Sequence, residues 1–257
     1  MRPAVIYPLT GRGATTFVWS VSLDRSFCAS FPRFLDTSET VQSRNRLDAR
    51  YRAIVDWNRD LLRDARVLDL ACHDGRWAFG ALQIGASHAT GIEARPHLVE
   101  KARENFVFYD IRPTSYTFLT GLVMPTMASL PNQFVDVTMC LGFLYHSHEH
   151  ASLLLEASRL TTRALIIDTE VADSAEPIIL LREERTDDSR NSVDYVGFGR
   201  PKALVGTPSR AALFMILDHA GFDIQSYDWQ AQQITDWSNL DDYRTGRRIT
   251  IRAERRK

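Results

Sequence analysis

The sequence predicts an α/β fold: a doubly wound, mostly parallel sheet of seven strands, preceded by an N-terminal helical cap and carrying an insertion after the fifth strand. Three observations lead there. Short apolar runs alternate with helix-periodic segments from Arg66 to Asp168. A tight turn, Asp69 to Gly75, joins the first run to a helix, and the rhythm then breaks over 171–207 for longer than a connector needs.

Residues 1–35 mix Pro, Gly and aromatics without a period and are read as a loop, hairpin or lid. The apolar stretch from Thr15 to Leu23 follows Gly11-Arg-Gly13, is short and contains hydroxyls, so it is read as mature protein rather than a signal segment. Between Thr37 and Leu62, the residues Val41, Leu47, Tyr51, Ile54, Val55, Trp57 and Leu61 recur near helical spacing, which predicts one or two amphipathic helices with Thr37 or Ser38 as N-cap. Residues 1–62 therefore form a cap or lid, and 63–257 the main domain.

In that domain Arg66–Leu70 reads as the first strand, Arg76–Ile84 as a helix ended by Gly85, and His88–Ile92 as the second strand. Pro96–Phe106 is helical, with Pro at a position whose missing N–H costs nothing. Ser115–Leu119, Phe134–Cys140 and Ala164–Asp168 supply the third, fourth and fifth strands, with a helix over His150–Leu160 between the last two. Strands alternating with helices imply right-handed crossovers and a parallel sheet covered on both faces. Residues 171–207 are charged and turn-rich, and are read as a substrate-covering insertion. A helix over Ser209–His219, capped by Gly221, then leads to strands Phe222–Trp229 and Arg248–Arg252.

Composition excludes several classes. Lys and Arg number 31 against 32 Asp and Glu, a net charge of −1, so no global positive field attracts polyanions. Cys28, Cys72 and Cys140 are odd in number and widely spaced, which argues against a disulfide framework and fits a reducing cytoplasm. No segment approaches the ~20 uninterrupted apolar residues of a membrane span, so no membrane partner is expected.

The chemistry concentrates where a first strand of this kind turns into a helix, beyond the carboxyl edge of the sheet. The usual Asp-x-Gly-x-Gly-x-Gly becomes Asp69-Leu-Ala71-Cys-His73-Asp-Gly75. Glu93 ends the second strand, 24 residues after Asp69, where a carboxylate accepts both hydroxyls of a ribose. A pyrophosphate needs close backbone approach, which Ala71 and His73 obstruct, so a nucleoside without a diphosphate is favoured over a dinucleotide.

The run from Val67 through Gly75 to Phe79, followed by Gly91-Ile-Glu-Ala-Arg-Pro96, resembles motif I and the acidic loop of class I S-adenosylmethionine-dependent methyltransferases, a Rossmann-like fold. Cys140-Leu-Gly-Phe-Leu-Tyr-His146, Ile167-Asp-Thr-Glu170, Pro208-Ser-Arg-Ala-Ala-Leu213 and Gly221-Phe resemble the group that includes tRNA wobble-uridine carboxymethyl-transfer enzymes, over about residues 65–230. The resemblance implies S-adenosylmethionine as cofactor, held by Asp69, Ala71, His73, Gly75, Glu93 and the loop near Gly121, with Leu141 to His146 facing the reaction centre.

Methyl transfer needs alignment and, for a hydroxyl acceptor, removal of a proton. His146, expected at the end of the fourth strand, is the candidate base, because imidazole titrates near neutrality. Asp168 and Glu170, ending the fifth strand, are candidates to bind a substrate hydroxyl, assist His146 or hold a cation. Tyr145 and His148 are expected to wall the substrate. His146, His148 and His150 alternate where strand gives way to helix, a spacing that does not aim three imidazoles at one metal. Cys72 and Cys140 read as small apolar fillers, and the basic tail Arg247-Arg248 and Arg252–Lys257 as a solvated charge run. The leading expectation is O-methylation of a small molecule or saccharide. The alternatives are a tRNA-modifying transferase and a non-catalytic binding subunit with an eroded cofactor loop, and a homo-oligomer is compatible with each.

Overall fold

A computed structural model describes residues 26–40, 43–188, 190–197 and 199–256. Of the loop, hairpin or lid expected over 1–35, residues 1–25 lie outside the described residues and 26–35 hold helical turns instead, where Phe27 and Phe34 are buried in the core; Val41 in the helical stretch and Lys257 at the end of the basic tail also lie outside. Among the described residues four short helices come first: α1 (Phe27–Ser30), α2 (Arg33–Asp36), α3 (Arg44–Tyr51), which runs on through a π-helical stretch over Arg52–Asp56, and α4 (Arg59–Leu62). The N-cap of α3 is Ser43, not Thr37 or Ser38. Thr37 is diverted because its hydroxyl donates to the buried carboxylate of Asp74 at 2.7 Å.

Then follow β1 (Arg66–Leu70), α5 (Arg76–Gln83), β2 (His88–Glu93), α6 (Pro96–Phe108), β3 (Tyr116–Thr120), α7 (Val123–Ser129), β4 (Val135–Leu141), α8 (His150–Leu160) and β5 (Thr161–Glu170). The chain continues with β6 (Ile179–Arg185), β7 (Lys202–Pro208), α9 (Arg210–His219), β8 (Phe222–Ser226), α10 (Asp241–Arg244) and β9 (Arg248–Arg255). Among the described residues the main sheet has seven strands in the order β3-β2-β1-β4-β5-β9-β8. The first five pair in parallel, and β9 runs antiparallel between β5 and β8.

Both faces are covered, as burial on two sides demands of near-continuous apolar strands. Phe79, Val99 and Phe106 pack with the cap on one face. Leu153, Leu154, Leu213 and Leu217 pack on the other. Because β1 lies between β2 and β4, the crossovers reverse direction there and leave a crevice beyond the carboxyl ends of β1 and β4.

The insertion is more regular than its composition suggests. Ile179–Arg185 and Lys202–Pro208 pair as an antiparallel ribbon in register Ile179 with Pro208 through Arg185 with Lys202. Its alternation is hidden because Leu180, Leu181 and Leu204 stay exposed instead of pointing into a core.

Candidate functional site

A cavity of about 370 Å³ occupies the crevice, walled by the first loop, the ends of β2 and β4, the start of α7, the helical cap and residues 190–195 of the insertion.

The first loop keeps the shape of a glycine turn without most of its glycines. Ala71 and His73 both sit at φ 53° and Gly75 at 79°, so the left-handed conformation recurs at all three positions. Only Gly75 is bound to be glycine by packing as well, since a Cβ there would lie 2.9 Å from the ring of Phe106. The turn is tied by Cys72 N donating to Ile92 O at 2.9 Å and by His73 N donating to Glu93 Oε2 at 3.2 Å. The other oxygen of Glu93 accepts Arg95 N at 3.0 Å, which fixes the carboxylate at the cavity wall. On the cap side, Asp74 is fully buried and receives both Arg76 Nε, at 2.7 Å, and Arg76 Nη2.

Of the residues expected to hold a cofactor, Ala71, His73, Glu93 and Leu141 line the cavity. Asp69, Gly75 and Gly121 do not. Asp69 lies within the sheet and accepts Ala78 N at 3.2 Å, so it anchors the first turn of α5. Gly75 packs behind the loop. Gly121 N donates to Glu93 O at 3.0 Å, and the wall begins one residue later, at Leu122.

The residues present fit an adenosyl sulfonium. Glu93 offers a fixed carboxylate for ribose hydroxyls, and His73 Nε2 is a buried nitrogen with no hydrogen-bond partner in a side chain that lines the cavity. Cβ atoms at 71 and 73 would crowd a pyrophosphate and leave a nucleoside room.

The reaction side differs from expectation. β4 ends at Leu141, and His146 lies beyond it on a 3₁₀ turn, Leu144–His146, because Gly142 at φ 80° bends the chain off the sheet. His146 lines the cavity with its Nδ1 2.6 Å from Glu184 Oε2. Tyr145 and His148 also line it, His148 stacked on Tyr195 at 5.2 Å. The histidine triplet disperses, since His150 is buried against Gly206 O, at 2.9 Å from Nε2. Among the described residues no three His, Cys, Asp or Glu are grouped to hold a metal ion.

The expectation for Asp168 is corrected by its surroundings. It is fully buried behind the cavity and saturated: Oδ1 accepts Arg50 Nη2 at 3.0 Å and Arg248 Nε at 2.9 Å, and Oδ2 accepts Tyr243 at 2.8 Å and Thr250 at 2.7 Å. Four donors leave no lone pair for a substrate proton or a cation, so Asp168 fixes the two arginines. Glu170 is likewise off the cavity, partly exposed, with Oε1 3.5 Å from Arg248 Nη1.

Arg248 is not part of a solvated tail. It is buried, lines the cavity, and lies 5.1 Å above the ring of Tyr145. Arg50, also missed, lines the cavity with its guanidinium 5.0 Å from the ring of Trp77 and its Nε without a partner. A helical arginine at a cap position carries no local signal of such a role. Arg95 Nη2 donates to Asn191 O at 2.5 Å and so ties the acidic loop to the insertion.

Residues 67–163 match the family model described as a methyltransferase domain. Over 147 residues the chain is 29% identical to a tRNA U34 carboxymethyltransferase of Helicobacter pylori, covering 54% of each protein. It is 25% identical over 205 residues to one from Nautilia profundicola, covering 74% of this chain and 62% of that one. The chain thus spans little more than half the length of these relatives. Among solved structures, the N-terminal domain of EvdMO1 with SAH bound superposes with a TM-score of 0.57 at 19% identity, over 80% of each chain. Magnesium protoporphyrin IX methyltransferase from Synechocystis with bound SAM gives 0.54 at 17% identity, over 96% of this chain and 87% of that one. At those identities the likeness is one of fold.

Proposed function

We propose that this chain, a class I S-adenosylmethionine-dependent methyltransferase, transfers a methyl group to a hydroxyl of a small molecule or saccharide, with His146 as the base. When bound, S-adenosylmethionine supplies an electrophilic methyl on a sulfonium. Ala71, His73, Glu93 and Leu141 would hold it, since they line the cavity on the side of the first loop. The acceptor would sit between that methyl and Tyr145, His146 and His148. Nδ1 of His146 is engaged by Glu184, which leaves Nε2 for the acceptor hydroxyl. The observation that carries the reading is this cavity-lining imidazole bound to a carboxylate.

The test is calorimetry with S-adenosylhomocysteine, then a tritiated-methyl screen of saccharides, small hydroxylated molecules and tRNA. His146→Ala should lower turnover by about 100-fold or more while cofactor affinity stays nearly constant. Unchanged turnover removes His146 as the base.

A second reading is favoured by one observation. Arg50 and Arg248 both line the cavity beside Tyr145, while the carboxylates that pair with them, Asp168 and Glu170, lie off it, so this wall presents guanidinium groups. That suits a transferred group bearing a carboxylate, as the name carboxymethyltransferase states for the relatives, with tRNA as acceptor. The balanced net charge weighs against an RNA partner. Salt-sensitive tRNA binding would favour this second reading.

A further inference from the structure

Glu184 stands on β6, in the ribbon of the insertion and not in the sheet that supports the cavity. Its side chain is nearly buried. Oε2 accepts His146 Nδ1 at 2.6 Å and the backbone N–H of Ser192 at 2.9 Å, and Oε1 accepts Arg182 Nη2 at 2.7 Å. Burial works against ionisation, yet the hydrogen bonds from His146 and the Ser192 N–H and the charge of Arg182 hold the carboxyl below its ordinary range.

The ribbon is fastened to the turn that carries His146. Gly206 N on β7 donates to Ser147 O at 2.9 Å, and Gly206 O meets His150 Nε2 at 2.9 Å. A Cβ at 206 would lie 2.7 Å from Ile179 and 3.1 Å from the His150 ring, so glycine lets the ribbon approach this closely.

We infer that Glu184 is the positioning residue of the transfer. It keeps the His146 proton on Nδ1, presents a bare Nε2 to the acceptor and balances the charge the imidazole gains, an assignment that rests on reading His146 as the base. In the step, the acceptor O–H breaks and its proton passes to Nε2. The oxygen bonds the methyl carbon as the carbon–sulfur pair leaves with sulfur, and an imidazolium remains against the Glu184 carboxylate. The insertion thereby completes the base as well as covering the crevice.

The test is a long-range ¹H–¹⁵N spectrum of the full chain labelled at histidine, followed as the pH is raised until the His146 signals stop moving, with His146 assigned through His146→Gln. The wild type should carry the proton on Nδ1. Glu184→Ala should shift His146 to the Nε2-protonated form that free imidazole side chains favour, and Glu184→Gln should keep the Nδ1 form, because an amide carbonyl still accepts from Nδ1. Affinity for S-adenosylhomocysteine should stay within about 2-fold in both variants, because the first loop takes its braces from Ile92 O and the Glu93 carboxylate and not from Glu184. A wild-type proton on Nε2, or an unchanged tautomer in Glu184→Ala, overturns the assignment. The spectrum needs no acceptor, so its failure is separate from unchanged turnover in His146→Ala, which would overturn the base reading alone.

Discussion

Arg248 donates from Nε to Asp168 Oδ1 across 2.9 Å with both side chains withdrawn from solvent, and Arg50 reaches the same oxygen from the cap. This cluster joins β5, β9 and α3 directly behind the cavity wall. Removing the carboxylate charge leaves Arg50 without a counter-ion and Arg248 with only the partly exposed Glu170 at 3.5 Å, so Asp168→Asn should cost about 3–5 kcal/mol, measured by urea unfolding. Burial alone would raise the Asp168 pKa, but Arg50 and Arg248 hold it well below its ordinary value of 3.8. A lowered folded-state value gives stability that is present above 3.8 and lost as the pH falls through the folded value. The variant should therefore lose part of the wild-type acid sensitivity.

Asp69 has the opposite sign. Burial pushes its carboxyl up to about 8, against the hydrogen bond from Ala78 N, with the charges of Asp74 and Glu93 adding to the rise. The unfolded chain ionises first, so this group's contribution falls as the pH climbs from 3.8 to about 8 and levels off above. Asp69→Asn, whose amide oxygen still accepts from Ala78, should be more stable than the wild type at alkaline pH. Urea midpoints followed across the neutral range check this, and parallel curves would show that Asp69 is ionised when folded.

Ala71 adopts a left-handed backbone at φ 53°, a conformation that costs an L-residue about 1–2 kcal/mol. Glycine removes that cost but adds about 0.4–1 kcal/mol of unfolded-state entropy. Ala71→Gly should therefore stabilise the fold by about 0.5 kcal/mol, read from the urea midpoint at constant slope.

Glu93 both faces the cavity and braces two backbone N–H groups, those of His73 and Arg95. Glu93→Ala should weaken binding of S-adenosylhomocysteine by about 1–3 kcal/mol, measured by calorimetry. Glu93→Gln should recover part of the loss, because its carbonyl replaces one of the two braces.

The alternation of strands and helices in the first half, the loop after β1 and the position of Glu93 were legible because each is a local pattern: an apolar run, a turn at fixed spacing, a carboxylate at a strand end. Where the reading failed, a contact from elsewhere had taken over. Thr37 is claimed by Asp74 instead of capping a helix, His146 leaves the strand at Gly142, and the ribbon shows no alternation because its leucines are exposed.

The α/β alternation and the tight turn after β1, with the crevice it implies, follow from the sequence alone, since periodicity and turn chemistry act over a few residues. Tertiary structure alone decided that Glu184 meets His146 across 38 positions, and that Asp168 gathers Arg248 across 80 and Arg50 across 118. The physical reason is that a buried charge chooses its partner by distance and desolvation, and neither is written in the spacing of residues along the chain.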